Sequence, residues 1–201
     1  MRGLLLLLLL TTVSPLRAEA RYAIDPVHTR IAVLVGHSHF SRAIGTLSGT
    51  QGSIRYDARH PERAQVDARI PLARLDFGDA DWNAAVAARG LLDVERAPVA
   101  RFVSTAVEIL DGERLRIHGD LTLAGTTRPT VLEARINALR RHPMPPFRRT
   151  LGVSARTVLD RRDFGVAGFP RTVGHEVEVL IELEAARTGD DGDDIHAEET
   201  Q

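Results

Sequence analysis

The sequence predicts an all-β protein: an eight-stranded antiparallel up-and-down barrel with one short helix between strands three and four. Three observations carry that prediction. From Phe102 to Leu139 apolar residues fall on alternate positions in three successive runs: Val103, Val107 and Ile109, then Leu115, Ile117, Leu121 and Leu123, then Leu132 and Ile136. A period of two gives each run one dry face and one wet face. Turn signals separate the runs, Asp111-Gly112 and Gly125-Thr126-Thr127-Arg128-Pro129, and an Asp-Gly pair supplies the positive φ values of a tight hairpin. Further strands of the same kind, joined by short sequential connections, favour a closed meander over a sandwich.

The first twenty residues stand apart. Met1-Arg2-Gly3 is a short positive segment, Leu4 to Leu10 are seven leucines, and Ala18-Glu19-Ala20 places small residues where a signal peptidase reads. An apolar run of about ten residues is half of what a membrane-spanning helix requires. Residues 1–20 read as a cleaved secretory signal, so the expected location is the periplasm, with a mature chain from Arg21.

The first strand of the barrel spans 29–36, with Ile31, Val33 and Val35 on one face. The second, 43–56, contains Gly45, Gly49 and Gly52, which suit the tight bend of a barrel corner. The third is 65–72, with Val66, Ala68 and Ile70 facing one way. Asp79-Ala80-Asp81-Trp82-Asn83, an alanine-rich middle and a closing Arg89-Gly90 then predict a short helix: acidic cap, strong formers, glycine stop. Strands follow at 99–109, 113–124 and 129–139. The break His142-Pro143-Met144-Pro145-Pro146 cannot be sheet interior. Strand seven is 149–160, a loop runs from Arg162 to Gly174, and in the last strand Val177, Val179, Ile181 and Leu183 alternate with glutamates. The barrel domain is thus 21–186. Residues 187–201, with Asp190-Asp191-Gly192-Asp193-Asp194 and Glu198-Glu199, are expected to form a disordered acidic tail whose spacing does not follow a calcium loop.

Composition excludes several chemistries. The chain has no cysteine, which removes disulfides, thiol catalysis and cysteine-held metals. All 26 basic residues are arginines, so a Schiff-base or P-loop lysine is absent. Losing Arg2, Arg17 and Glu19 with the leader takes the 26 basic and 27 acidic residues to a net charge near −2, no footprint for nucleic acid. Aromatics make up only 4% of the chain and the inward parity is rich in Ala, Val, Gly and Thr. Small inward residues fill a barrel of this width poorly, which favours an internal cavity.

Motifs with a chemical reading also have structural ones. His37 and His39 lie two apart, so on a strand both imidazoles could face one ion, with His28 or His118 as a third ligand. No His-rich strand completes the set, and a hydrogen-bonded or mouth-lining His37 with His39 in a loop is the simpler expectation. The carboxylate pair Asp79 and Asp81 is explained by helix capping, and Asp163 as a turn residue partnered by Arg162. No Gly-x-Ser-x-Gly elbow occurs. In Arg162-Asp163-Phe164-Gly165, Phe164 either plugs one barrel end above a Gly165 turn or lines a ligand entrance with Phe169 while Arg162 meets a polar headgroup. Trp82 is expected to seal the helix to the barrel.

Ile24-Asp25-Pro26-Val27-His28-Thr29, with His37, Ser41 and Gly45 at their spacings, resembles the opening of the YceI-like family. Four later stretches agree in order: Leu91 to Pro98 with Arg101 to Thr105, Gly119 to Pro129, Arg162 to Val166, and Val173 to Glu178. The resemblance spans 22–185. It implies a lipocalin-like barrel, exported to the periplasm, that holds a long apolar lipid: an isoprenoid quinone, a polyprenyl diphosphate or a fatty-acid amide. The chain departs from the family pattern at the helix 81–87, at Leu91 and at Leu47, where an acidic arginine-containing helix and two aromatics are usual. That leaves cavity shape and mouth open.

Together these readings predict a lipid-binding protein rather than an enzyme, with no cofactor beyond its lipid ligand. The expected wall is Ile31, Val33, Val35, Phe40, Phe102, Leu121, Leu123, Leu151, Val153, Phe164 and Val179, with His37, Arg162 and Phe169 at the headgroup end. Two alternatives remain: a metal-assisted enzyme using His37 and His39, or a ligand-free module for a membrane complex. Contact with the membrane or a membrane cytochrome is expected by analogy, and the sequence leaves dimerisation open.

Overall fold

A computed structural model describes residues 19–189. Residues 1–18 of the expected leader and 190–201 of the expected tail lie outside the described residues, whereas Ala20 begins β1 and Arg187 and Thr188, expected in the tail, end β10 paired to Tyr22 and Arg21. The strands are β1 (Ala20–Ile24), β2 (Arg30–His37), β3 (Ser41–Leu47), β4 (Gln51–Tyr56), β5 (Gln65–Pro71), β6 (Val99–Ile109), β7 (Arg114–Leu123), β8 (Thr126–Arg141), β9 (Arg149–Asp160) and β10 (Val173–Thr188), with one α-helix, α1 (Ala80–Ala87). Each strand pairs antiparallel with its neighbours, and β10 closes the sheet by bonding both β2 and β1. β1 and β2 are two segments of one interrupted stave, as are β3 and β4. The architecture is a closed eight-stave antiparallel barrel with α1 between staves three and four.

The interruptions have local causes. After β1 the chain turns at Asp25, whose Oδ1 accepts from Val27 N at 2.7 Å and His28 N at 3.1 Å. Between β3 and β4, Gly49 takes φ +75° and donates its N–H to Pro26 O at 3.2 Å. The two breaks therefore meet. Above them β3 hydrogen-bonds to β2 alone among the strands and gains one bridge, Thr46 to Asp76.

Several local expectations change. β1 was not among the predicted strands, and β8 extends beyond its predicted 129–139. Gly125 does turn the chain, but with Ala124, both at positive φ (81° and 49°), so that Thr126 to Pro129 belong to β8. Asp111-Gly112 does not use the positive-φ turn: Asp111 Oδ1 instead accepts from Arg114 N at 3.0 Å, an Asx-type turn. On β6 the predicted parity is reversed at its start. Phe102 is buried inside the barrel, pairing with Leu121, and a bulge between Ser104 and Ala106 restores the predicted parity at Val107.

Candidate functional site

The barrel encloses a cavity of about 460 Å³, within the range that accommodates one small ligand. Its wall is built from the inward parity of the staves: Ile31, Val33 and Val35 of β2, Phe102 of β6, Leu121 and Leu123 of β7, Leu151 and Val153 of β9, and Val179 of β10. His37 and Phe169 also line it. Ile54, Tyr56, Ile70, Leu72, Ile117, Leu132 and Ile181 extend the same surface.

Three expected positions lie elsewhere. Phe40 is at the apex of the turn Ser38–Phe40, outside the strand ladder, and is 93% exposed. Phe164 is buried, but in a satellite cluster with Ala124 and Val166, packed against Leu91, Leu92, Leu121, Leu123 and Leu159, beside Gly165, which turns the chain at φ +75°. Arg162 points to solvent and grips Asp160, Nε to Oδ1 at 2.9 Å. That bond and the Arg162 N–H hold the Asp160 carboxyl down at about 2. The partner of Arg162 is thus Asp160, not Asp163.

The residue that does reach the cavity is the neighbouring Arg161. A 3-10 turn, Arg161–Phe164, rotates Arg161 inward and leaves it 4% exposed. Its guanidinium donates to three backbone carbonyls, Nε to Gly174 O (2.7 Å), Nη1 to Val166 O (2.6 Å) and Nη2 to Val173 O (2.8 Å). It thereby pins the loop 165–174 to the end of β9. Burial lowers its pKa from the ordinary arginine value. Adjacent arginines in a sequence give no sign of which one turns inward.

The helix forms one side of the opening. Asp79 caps α1, accepting from Asp81 N and Trp82 N at 3.0 Å each. Asp76 exchanges backbone bonds with Thr46 of β3 (2.8 and 2.9 Å) and accepts from Asn83 Nδ2 at 2.9 Å, tying the helix to the sheet edge; the Asn83 bond and that from Gly78 N lower the Asp76 pKa. The bare Cα of Gly45 admits the Phe77 ring, since a Cβ there would sit 2.8 Å from it. Trp82 meets Phe77 edge-on (centroids 6.2 Å) and His37 at a tilt (5.2 Å), and Trp82, Ala85 and Val86 line the cavity. The tryptophan therefore seals the helix to the barrel and faces the interior as well. Across the opening, Gly168 N donates to Gly90 O at 2.9 Å.

Few polar groups face inward. Thr29 Oγ1 is engaged by Glu184 O at 3.3 Å, while the buried Thr50 Oγ1 has no partner in the protein. Burial pushes the Tyr56 phenol pKa up. His39 sits in the turn with φ +61°, away from the stacked His37, and among the described residues no group of three His, Asp or Glu side chains gathers at metal-ligand spacing.

A sequence model of the YceI-like domain matches residues 22–185. The chain belongs to the YceI-like family. A UPF0312 protein of Pseudomonas syringae pv. tomato is 31% identical to this YceI-like chain over 170 residues, 84% of this chain and 87% of its own. Among solved structures, Burkholderia cenocepacia BcnA superposes with a TM-score of 0.73 at 19% identity, covering 81% of this chain and 99% of its own. A polyisoprenoid-binding domain from Saccharophagus degradans implicated in plant cell wall breakdown superposes at 0.62 with 14% identity, over 83% and 98% of the two chains. These likenesses establish a shared YceI-like barrel.

Proposed function

We propose that this YceI-like barrel is an exported carrier for a single long-chain lipid, an isoprenoid or a fatty-acyl amphiphile, held in the interior for transport, storage or sequestration. The observation that carries the reading is the closed barrel around a cavity of about 460 Å³ whose lining is almost wholly aliphatic and aromatic. At about 0.8 kcal/mol per buried methylene, such a wall binds an extended hydrocarbon without a precisely placed polar group. The polyisoprenoid-binding Saccharophagus degradans domain has the same fold, which supports an isoprenoid as the cargo. A leader ending at Ala20 would deliver the protein to the periplasm. Among the described residues the cavity lining contains no Asp or Glu, which supports binding rather than catalysis.

Mass spectrometry of an organic extract tests it, on protein exported and purified without detergent. The expected result is one isoprenoid or fatty-acyl species in stoichiometric amount. Folded protein from a native source that stays empty after exposure to quinones and polyprenyl diphosphates would overturn the proposal.

A further inference from the structure

We propose that the acidic segment 190–201 docks on an arginine surface at the barrel end opposite α1, centred on the β8–β9 hairpin.

From Ala134 to Leu159 the chain contains six arginines and no acid. Arg135 and Arg156 are paired with Glu113 and Glu133. The other four, Arg140, Arg141, Arg148 and Arg149, gather at the hairpin. Arg140, Arg141 and Arg148 are exposed and make no ion pair among the described residues. Arg141 stands directly opposite Arg149 in the β8–β9 register. Each lies two residues beyond a core leucine, Leu139 or Leu151, and Arg187 lies two beyond the buried Ala185, which pairs with Leu151. Three arginines of neighbouring strands thus continue the inward parity past the core, in one row across the barrel end. Like charges facing each other across a ladder repel, so an anion is favoured at this row. The described acids of that end have other partners: Asp57 pairs with Arg59, Glu62 with His60 and Arg63, and Asp111 with Arg114. Glu19 would leave with the leader.

The chain itself supplies the anion. β10 ends at Thr188, one strand from the hairpin, since Ala186 pairs with Thr150. Neighbouring strands lie about 5 Å apart, so whatever follows Gly189 leaves the barrel beside Arg148 and Arg149. Residues 190–201 contain six acids and no arginine. A segment of that length spans up to about 40 Å, ample for its carboxylates to reach the whole hairpin. A sequence too polar to build a core can still be held by charge, because tethering turns its association into the closure of a short loop. Docked there, it lies across the barrel end beyond Leu151, a wall residue of the cavity.

Thermal unfolding of the exported full chain tests the contact. A tail of equal length with D190N, D191N, D193N, D194N, E198Q and E199Q is compared with wild type in three backgrounds. These are the native barrel, the hairpin variant R140Q/R141Q/R148Q, and a control with the same charge change at the opposite end, R89Q/R128Q/R171Q, all exposed positions. The expected result is a Tm lowered by about 2 °C or more at low salt when the tail is neutralised. That loss should vanish in about 1 M salt and in the hairpin variant, and persist in the control. An unchanged Tm on neutralising the tail, or an equal loss in the hairpin variant, overturns the proposal. A loss that depends on protein concentration also overturns it, because the tail then reaches a second copy. Sedimentation with phosphatidylcholine–phosphatidylglycerol vesicles tests the rival occupant. Binding by wild type as tight as by the tail-neutralised protein overturns the proposal, since the arginines then serve a bilayer with the tail in place. Binding gained only on neutralising the tail supports it.

Discussion

Replacing Gly119 with alanine tests how the wall is packed. Gly119 lies on β7 beneath the Phe102 ring, and a Cβ there would fall 2.4 Å from Phe102 Cζ, 2.7 Å from Cε2 and 2.6 Å from Val103 O. Carbon pairs are at their best near about 3.5–4.0 Å, so the ring must retreat by roughly 1 Å. The Val103 carbonyl sits on a strand backbone in the β6–β7 ladder and has less freedom to retreat than the ring. Overpacking of this kind costs about 1–3 kcal/mol, which for a domain of this size lowers Tm by about 2–12 °C. Phe102 also lines the cavity, so the retreating ring takes space from the cargo. Each methylene displaced weakens lipid binding about fourfold. Thermal unfolding by circular dichroism and titration with a fluorescent prenyl ligand read the two effects. G119A should lose both, and adding Phe102→Leu should return part of the stability, a coupling visible in the double-mutant cycle. A G119A protein that melts within about 1 °C of wild type and binds ligand unchanged would show that Phe102 does not cover Gly119.

Val33→Glu and Leu121→Glu, each placing a carboxylate on the cavity wall, should abolish lipid uptake; a folded variant that still copurifies with full lipid would remove those positions from the binding surface. Arg161→Met leaves the carbonyls of Val166, Val173 and Gly174 without their donor and should cost about 3 kcal/mol or more; a urea midpoint close to wild type would show that the loop is held by other means. Asp160, with its folded pKa depressed to about 2 by Arg162, favours the fold above the ordinary carboxylate range and loses that contribution as pH falls toward about 2. D160N should therefore flatten the acid limb of the stability profile, and an unchanged slope between mildly acidic and strongly acidic buffer would refute the linkage. Thr50→Val, which removes a buried hydroxyl without a protein partner, should be neutral or stabilising, and a clear loss of stability would reveal a hydrogen bond the hydroxyl makes to water or ligand.

The barrel was legible where strands run unbroken. β10 alternates through Val177, Val179, Ile181 and Leu183, broken only by Leu180, and β2 carries Ile31, Val33 and Val35 on one parity, so the inward face could be read from the period. It was misread where geometry shifts that period. The bulge at Ser104–Ala106 shifts the parity of β6, so that Val103 faces outward while Phe102, an expected wall residue, lines the cavity, and an extra residue leaves no compositional mark. β1, five residues long beside the leader, has too few positions to display a period. The rim was the least legible part. Arg161 and Arg162 differ only in which side of a 3-10 turn they occupy, and Phe40 is set by the turn that places it beyond the ladder, not by its neighbours' hydropathy. Phe77, which packs against Trp82 in a space opened by Gly45, had a faint signal in that glycine, but Gly45 reads equally as a barrel corner.

Several polar groups of the interior are spent on the protein itself, and this limits what kind of selectivity the cavity can exert. Thr29 bonds Glu184 O, Thr130 turns to Arg128 O, and three of the five N–H donors of Arg161 are taken by backbone carbonyls. The Thr50 hydroxyl is buried without a protein partner, and Tyr56, Thr157 and Thr172 also bring hydroxyls to the lining. One methylene more or less changes affinity about fourfold, so chain length is discriminated weakly. A polar group drawn into the wall without a partner costs about 1–3 kcal/mol, and most of the wall has no partner to give. The barrel therefore selects by rejection, admitting any hydrocarbon of suitable bulk and leaving a polar headgroup at the Trp82–Phe169 opening or beside one of the few lining hydroxyls.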